Sequence, residues 1–185
     1  MGDYMFMLEN HLSANQFRVV ERMRDLAGEA GINIFLTGGA MRDTLAGFPV
    51  RDLDFTVEGN ALRLAKTAEK KLGAKIVSTD DHRKSAELLF PGGTTAEIAM
   101  ARQERYAKSG ARPQITPATI HEDLRCRDFT VNAVALSLNK ASLGLPIDPT
   151  NGIGDIERKE LRTIHNYSFY DEPVRMLRLL RFKAR

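Results

Sequence analysis

The sequence predicts an α+β domain, in which short strands and amphipathic helices follow one another without strict alternation. Two segments, 13–30 and 61–72, carry apolar residues at helical spacing. Between and after them lie short apolar or alternating runs of strand length, separated by glycine and proline. The 185 residues have room for one ordinary domain and the start of a second.

The first half of the chain begins with a helix that ends where Gly28 and Gly31 follow its last apolar positions. The sequence Thr37-Gly38-Gly39 then separates a short buried strand from a short helix. The polar and apolar alternation that comes next is typical of a half-buried strand. In order, the predicted elements are a helix at 13–30, a strand at 32–36, a helix at 40–45, a strand at 52–57 and a helix at 61–72.

The second half begins with three short strands, at 74–78, 86–90 and 94–101. Pro91-Gly92-Gly93 predicts a hairpin turn between the last two. The glycine and prolines of residues 105–119 predict a long, mobile loop. The mostly apolar segment 128–138 is predicted to enter the core as a helix, and residues 148–154 to form a turn. An arginine-rich helix is predicted from Pro173 to Arg185.

Composition favours a cytoplasmic protein. No apolar run reaches membrane-spanning length, and the first residues lack the basic and then apolar pattern of a secretion signal. Cys126 is the only cysteine, which excludes an internal disulfide and fits a reducing compartment.

Charge is nearly balanced, with 27 basic and 24 acidic residues, but arginine is concentrated in the last quarter. A local basic stripe of this kind suits phosphate or RNA, whereas a solvated helix face is the interpretation that composition alone favours. The arginines are Arg158, Arg162, Arg175, Arg178, Arg181 and Arg185.

A carboxylate pair carries the clearest chemical pattern. Asp52 and Asp54 lie two residues apart in a predicted strand, so their side chains project from one face. A hard divalent cation with oxygen ligands would relieve their repulsion, although an isolated pair is usually an ordinary strand edge. Glu97 lies in a second strand pattern. If the two strands are neighbours, three carboxylates converge on a patch suited to two-metal phosphoryl transfer; otherwise Glu97 is a surface residue.

Gly38 and Gly39 fall between a strand and a helix, where glycine lets the backbone approach a phosphate. A Gly-Gly turn without such a role is commoner. Arg42, one turn later, could contact a phosphate or pair with Asp43 or Asp52.

Four motifs follow one another between residues 34 and 185. They are Leu36-Thr37-Gly38-Gly39-Ala40-Met41-Arg42-Asp43 with Arg51-Asp52-Leu53-Asp54-Phe55; Arg127-Asp128-Phe129-Thr130-Val131-Asn132-Ala133; Asp148-Pro149 with Gly152 and Asp155; and Pro173-Val174-Arg175-Met176-Leu177-Arg178-Leu179-Leu180-Arg181-Phe182. In order and spacing they resemble the motifs of the bacterial-type (class II) tRNA nucleotidyltransferases and poly(A) polymerases.

The resemblance implies a polymerase-β-like nucleotidyltransferase head with a small, mixed, mostly antiparallel sheet flanked by helices. This head would span residues 1–168, and residues 169–185 would begin an all-α neck. The resemblance also implies magnesium held by Asp52 and Asp54, with Glu97 as a third catalytic carboxylate, and it assigns loop-bracing roles to Asp148 and Asp155. The residues that it implies for nucleotide binding are Gly38, Gly39, Arg42, Arg127, Asp128, Asn132, Glu172, Arg175 and Arg178.

Within the second motif, the resemblance places Arg127 and Asp128 near the ribose and phosphates, with Asp128 favouring a 2′-hydroxyl. Without it, the two residues fit a local ion pair. In the fourth motif, Glu172 and Arg175 stand at i and i+3, on one face of a helix. A carboxylate accepts the amino group of cytosine or adenine and a guanidinium donates to the ring nitrogen. The alternative is a plain surface salt bridge.

Two positions depart from the family pattern. Cys126 stands where the second motif usually has the first of two arginines, and the fourth motif has Asp171-Glu172 before its proline instead of Glu-Asp. Both departures concern substrate contacts and leave the carboxylate pair unchanged.

The implied activity is template-independent transfer of nucleotides to the 3′ end of RNA, in which the 3′-hydroxyl attacks the α-phosphorus of CTP or ATP and pyrophosphate leaves. Complete or partial CCA addition to the tRNA 3′ end is the first expectation, and poly(A) synthesis is the alternative within the family. A non-catalytic nucleotide- or RNA-binding module is the alternative from another class, against which the intact Asp52 and Asp54 argue.

Overall fold

A computed structural model describes residues 3–183 of the chain. The helices are α1 (Asp3–His11), α2 (Ala14–Glu29), α3 (Gly38–Ala46), α4 (Ala61–Leu72), α5 (Ile120–Arg125), α6 (Gly152–Arg158), α7 (Ser168–Asp171) and α8 (Arg175–Lys183). The strands are β1 (Asn33–Leu36), β2 (Leu53–Glu58), β3 (Lys75–Asp80), β4 (Ser85–Leu89), β5 (Thr95–Met100), β6 (Arg102–Arg105), β7 (Gln114–Pro117), β8 (Ala135–Ser137) and β9 (Pro146–Ile147). Across residues 3–183, every helix is too short or too polar to span a bilayer.

Local sequence signals position the helices that flank the sheet. Ser13 and Gln16 form a reciprocal capping box at the start of α2. Asn60 caps α4 by accepting from the Arg63 N–H, and Gly73 ends this helix with the positive φ of 69° that glycine adopts without strain. Both helices therefore begin and end close to where their patterns predict. Helix α1 was not predicted.

Seven strands form the main sheet in the order β3-β4-β5-β2-β1-β8-β9. The β2–β5 pair is parallel and every other pair in this sheet is antiparallel, which confirms the predicted mixed, mostly antiparallel sheet. The predicted hairpin around Pro91-Gly92-Gly93 joins β4 to β5. In the parallel pair, Asp54 stands directly beside Glu97.

Apolar side chains cover both faces of the sheet at its centre. Ile34 and Leu36 of β1 enter the main core with α2 and α4, whereas Phe35 enters a smaller cluster with Ile120 and Leu124 of α5. Leu53, Phe55 and Val57 of β2 are buried in the main core. The opposite face of β2 is thereby left for Asp54.

The loop predicted at 105–119 is wrong in part. Residues Gln114–Pro117 form β7, which pairs with Arg102–Arg105 (β6) in a separate two-stranded sheet. Pro113 and Pro117 concealed this strand from a prediction based on turn residues, because proline is tolerated at strand ends and edges. The hairpin forms one wall of the cleft described below.

The helix predicted at 128–138 is also wrong, although its entry into the core is correct. Residues 128–138 are all buried. A single 3-10 turn, Thr130–Asn132, precedes β8, which pairs with β1. A mostly apolar run of this length does not distinguish a buried strand from a buried helix by periodicity.

The arginine-rich helix predicted from Pro173 forms as α8, and a short helix that was not predicted, α7, precedes it. Helix α7 ends at Asp171, and α8 begins only at Arg175, so that Glu172 precedes α8 instead of lying on it. The predicted end of this helix at Arg185 lies outside the described residues. Phe182 of α8 packs edge-on against the buried Phe129 ring at 5.6 Å between centroids, which holds α8 beside the second motif.

Candidate active site

Twelve residues predicted from the sequence as catalytic or nucleotide-binding line one cleft of about 750 Å³. This volume is in the range of sites that bind small molecules. The residues are Gly38, Gly39, Arg42, Asp52, Asp54, Glu97, Arg127, Asp128, Asn132, Glu172, Arg175 and Arg178.

The start of α3 holds the carboxylate of Asp54. The Ala40 N–H donates to Asp54 Oδ2 at 3.0 Å. A Cβ atom at Gly38 would lie 2.9 Å from the same oxygen, and Gly38 also has a positive φ of 58°. A side chain at Gly38 would therefore clash as well as strain the backbone. Gly38 and Gly39 were predicted to let the backbone approach a phosphate. In the structure, the group that lies close to both glycines is the Asp54 carboxylate.

Asp52 and Glu97 complete the acidic end of strands β2 and β5. Thr95 Oγ1 donates a hydrogen bond to Asp52 Oδ1, and Glu97 lies in β5 beside Asp54. The two strands are therefore neighbours, which is the condition under which the three carboxylates were expected to converge. Across residues 3–183, however, the structure contains no group of three His, Cys, Asp or Glu side chains placed to hold a metal ion. Asp52, Asp54 and Glu97 nevertheless all line the same cleft.

Burial raises the pKa of Asp54 to about 6, although the hydrogen bond from the Ala40 N–H and the charge of Arg127 lower it. The nearby Glu97 raises it further. A half-buried carboxylate with a raised pKa gains from a cation beside it. Carboxylate oxygens are also the ligands that Mg²⁺ prefers. The donor set of Asp52 and Asp54 fits a hard divalent ion.

Arg42 joins α3 to the second motif. Its guanidinium pairs with Asp43 at 2.8 Å and donates to Asn132 Oδ1 at 2.7 Å. Of the alternatives predicted for Arg42, the structure realises the pair with Asp43. The guanidinium also lies 5.0 Å from the centre of the Phe182 ring, over which a cation is attracted.

Arg127 and Asp128 are not paired with each other, so the interpretation as a local ion pair is wrong. Arg127 pairs with Asp123 at 2.9 Å and donates to Thr56 Oγ1 at 3.0 Å. Asp128 pairs with Arg178 of α8 at 2.8 Å. The second motif therefore connects the floor of the cleft at β2 to its wall at α8.

Glu172 and Arg175 meet as predicted, with Arg175 Nε 3.0 Å from Glu172 Oε2. Arg175 is 3% exposed. It also donates to Ser168 Oγ at 2.7 Å and to the Cys126 carbonyl oxygen at 3.4 Å. Three of the five guanidinium N–H groups are thus used, and one on each terminal nitrogen remains for a ligand.

The structure explains how Cys126 occupies an arginine position of the motif. Burial raises the pKa of its thiol, so that the side chain is uncharged at neutral pH. Its contribution to the cleft is the main-chain carbonyl that accepts from Arg175.

Sequence reasoning missed the charged residues that support the motifs. Asp123 stands four residues before Arg127 on the end of α5, a helical spacing that could have revealed the pair. Arg102 and Glu104 alternate on β6 and pair at 2.9 Å on the cleft side of the hairpin. Tyr106 donates to Glu104 at 2.8 Å and lies 3.5 Å from Glu172. The last contacts depend on tertiary structure and have no sequence signal.

Charges in the cleft are equal in number but unevenly paired. Eight arginines and eight carboxylates line it. Five of the carboxylates form salt bridges with arginine: Asp43, Glu104, Asp123, Asp128 and Glu172. Among the residues that the structure describes, Asp52, Asp54 and Glu97 form none. The unpaired negative charge is therefore concentrated at the adjacent ends of β2 and β5.

Asp148 and Asp155 lie outside the cleft lining. Asp148 accepts from the Gly152 and Ile153 N–H groups at the start of α6. Asp155 is fully buried and pairs with Arg158 and Arg162. Asp148 thus stabilises the turn that begins α6, and Asp155 stabilises the segment after α6 through Arg162, in line with the loop-bracing roles expected for both.

Comparison with known proteins gives consistent results. The profile of the family described as "Poly A polymerase head domain" matches residues 34–162. The A-adding tRNA nucleotidyltransferase of Halalkalibacterium halodurans is 37% identical over all of this chain and 43% of its own length. The CC-adding tRNA nucleotidyltransferase of Deinococcus radiodurans is 36% identical over 88% of this chain and 44% of its own length.

Solved structures agree with the sequence relatives. An apo form of a CCA-adding enzyme superposes with a TM-score of 0.89 at 36% identity, covering 100% of this chain and 43% of the other. The chain thus spans less than half the length of these proteins.

Proposed function

The chain belongs to the poly A polymerase head-domain family, and from this premise we propose that it is the catalytic head of a template-independent RNA 3′-end nucleotidyltransferase. The proposed reaction is the addition of C or A to the 3′ end of tRNA from CTP or ATP, with release of pyrophosphate. The relatives named for A addition and for CC addition match it at similar identity, so we propose CCA-type addition without restricting it to one base. The observation that carries the proposal is the concentration of carboxylates without a salt bridge, among the described residues, in a cleft whose other five carboxylates are each paired with an arginine.

We propose that Asp52 and Asp54 hold Mg²⁺ and that Glu97 supports them. When bound, the ion supplies positive charge for the phosphates of the triphosphate and for the attacking hydroxyl. The raised pKa of Asp54 supports this assignment, because it shows that the negative charge of the carboxylate is poorly compensated in the metal-free chain. A bound cation would compensate this charge in place of a proton. Thr95 orients Asp52 through its hydroxyl.

The arginines of the cleft are proposed to bind and align the nucleotide. Arg127 Nη1 lies 3.3 Å from the position of a Cβ at Gly38, and Arg42 Nη2 lies 3.6 Å from that of a Cβ at Gly39. The carboxylates of Asp43 and Asp123 fix the two guanidinium groups before the ligand arrives. Such preorganised charge needs little rearrangement during reaction.

We further propose that Glu172 and Arg175 select the base. The two side chains are already 3.0 Å apart, and Arg175 keeps one unused N–H on each terminal nitrogen. A carboxylate beside a guanidinium matches the amino donor and ring-nitrogen acceptor that cytosine and adenine share. Uracil and guanine present the reversed pattern and would leave both groups unsatisfied.

The proposed domain division is a head at residues 1–168 and the beginning of a helical neck at residues 169–185. Helix α8 supports it, because its outward face is apolar. Met176, Leu177 and Leu180 are 51%, 66% and 63% exposed. Further helices that cover this face would stabilise α8 beside the cleft.

Three tRNA transcripts test the function: one that ends before the CCA sequence, one that ends in C and one that ends in CC. Each is incubated with one labelled nucleoside triphosphate, with Mg²⁺ or with a chelator, and products are resolved by length. We expect Mg²⁺-dependent addition of C or A and exclusion of U and G. Incorporation no greater than that of the Asp52→Asn, Asp54→Asn double variant would overturn the proposal, and incorporation of all four bases would overturn the base-selecting pair.

A further inference from the structure

A second groove lies on the opposite side of the β6–β7 hairpin from the cleft. It has a volume of about 1560 Å³ and is formed by α4, the β3–β4 turn and the hairpin. The groove and the cleft share no lining residue among those that the structure describes. The alternation of β6 separates them, since Glu104 faces the cleft and the next residue, Arg105, lines the groove.

Five exposed cations from different elements converge on this groove. Arg63 and Lys66 stand on α4, Lys84 on the β3–β4 turn, Arg105 on β6 and Arg112 on the loop before β7. Within residues 3–183, none of the five forms a salt bridge. The chain thus gathers these side chains without supplying their counter-ions.

The acidic residues of the groove do not balance this charge. Of the carboxylates in the described part of the chain, only Glu58 and Asp81 line it. The carboxylate oxygens of Glu58 are already used, one by the Ile120 N–H at 2.7 Å and the other by Asn33 Nδ2 at 2.9 Å. The groove therefore carries an excess of positive charge at neutral pH.

The size and chemistry of the groove fit an extended polyanion better than a small molecule. Its volume exceeds the roughly 300–1,000 Å³ typical of small-molecule sites. Long, unpaired lysine and arginine side chains bind phosphates as mobile charges and do not read base edges. Hydrophobic side chains, including Leu62, Met100 and Ile115, line the groove between these cations.

We infer that this groove binds the sugar-phosphate backbone of RNA, independently of sequence. The choice of RNA over other polyanions rests on the proposed function. The occupant is a stretch of RNA outside the cleft, which would increase the residence time of the substrate while its 3′ end is extended. The affinity of the groove for RNA depends on its positive charge, whereas binding in the cleft depends on the geometry of fixed side chains.

The test measures RNA affinity of the whole chain by fluorescence anisotropy. The probes are a fluorescein-labelled uridine homopolymer and a mixed-sequence RNA of equal length, each with a 3′-phosphate that prevents extension. The groove variant combines Arg63→Gln, Lys66→Gln and Lys84→Asn. Asparagine is used at Lys84 because its φ of 55° lies in the left-handed region, which asparagine tolerates.

The matched control variant combines Arg22→Gln, Lys70→Gln and Lys75→Gln. It removes the same three charges from exposed positions that line neither the groove nor the cleft. We expect the groove variant to lose on the order of tenfold to a hundredfold in affinity for both RNAs at about 0.1 M salt. Its slope of log affinity against log salt should become shallower by about 2, since three phosphate contacts are lost. The control variant should remain within about twofold of the wild type.

Equal losses in both variants, or none in the groove variant, would overturn the inference. A preference of more than tenfold for one RNA sequence would overturn its independence of sequence. Polyglutamate of equal charge serves as a further probe: if it binds as tightly as RNA and loses affinity in the groove variant, the partner is an acidic polypeptide and the choice of RNA is wrong. Failure of the proposed function is a separate outcome, because it removes nucleotide incorporation without altering the effect of the groove variant on RNA affinity.

Discussion

The cleft and the groove lie on two sides of one hairpin and differ in how their charges are compensated. In the cleft, five carboxylates are each held by an arginine, and the carboxylates that form no salt bridge with the described residues, Asp52, Asp54 and Glu97, lie together where β2 and β5 pair. In the groove, the charge left over is positive and spread over side chains that no salt bridge within residues 3–183 fixes. Fixed pairs define geometry, whereas unfixed charges define only an electrostatic potential. The β6–β7 hairpin thus separates a cleft that recognises its ligand through fixed side chains from a groove that attracts a polyanion through its charge.

Removal of the unpaired negative charge should have the largest effect. We expect Asp54→Asn to lower nucleotide incorporation by about a thousandfold or more, equivalent to about 4 kcal/mol of transition-state stabilisation. The measurement is single-turnover incorporation at saturating triphosphate. Anisotropy with the labelled RNAs provides the control, because the affinity of the groove should remain within about twofold. Near-normal turnover would exclude Asp54 from the reaction.

Removal of a fixed positive charge should have the next largest effect. Arg175→Ala leaves Ser168 and the Cys126 carbonyl without this donor, and it leaves Glu172 with only the longer contacts to Arg83 and Tyr106. Breaking a buried ion pair in this way should lower the free energy of unfolding by about 4 kcal/mol. The variant should also incorporate U and G from UTP and GTP, which the wild type excludes.

Arg181→Ala is the matched control for that change. Arg181 lies on the same helix and lines the same cleft, but it is exposed and forms no salt bridge with the described residues. Urea denaturation should place this variant within about 0.5 kcal/mol of the wild type. Equal destabilisation of the two variants would mean that α8 depends on arginine generally and not on the fixed pair.

The pH dependence of stability should reveal the uncompensated carboxylate of the cleft. The pKa of Asp54 is raised from 3.8 to about 6 in the folded, metal-free chain. Its contribution to stability is therefore fully present below about pH 4 and is lost as the pH rises through about 6. The asparagine side chain does not titrate, so the stability of the Asp54→Asn variant relative to the wild type should increase by roughly 3 kcal/mol from pH 4 to pH 8.

Chemical denaturation with a chelator present measures this difference, and the titrating groups that do not interact with Asp54 cancel between the two proteins. Addition of Mg²⁺ at pH 8 should reduce the difference, because the ion replaces the proton at Asp54. A difference that is independent of pH would show that Asp54 ionises normally in the folded chain.

The cleft and the groove also differ in how far they could be predicted from the sequence. Motif residues such as Asp54 and Arg175 were placed in one cleft, because their spacing and order carry the signal. The mostly apolar segment 128–138 was misassigned, because its burial on all sides removes the periodicity that separates strand from helix. The cations of the groove were missed for a different reason. Arg63 and Arg112 are distant in sequence and follow no pattern, so that only the tertiary structure brings them together.

A conservative exchange of cations should have the smallest effect in the groove and a measurable one in the cleft. Lys66→Arg keeps the charge of an exposed side chain that has no salt bridge with the described residues, so RNA affinity should change by less than about twofold. Arg175→Lys also keeps its charge. A single ammonium group, however, cannot reproduce the three directed contacts to Glu172, Ser168 and Cys126, because they use three separate nitrogen atoms. Base selectivity, measured as the ratio of CTP to UTP incorporation, should therefore fall in Arg175→Lys. If Lys66→Arg alters RNA affinity as strongly as the charge-removing groove variant does, the groove recognises its ligand through geometry, and its difference from the cleft is one of degree.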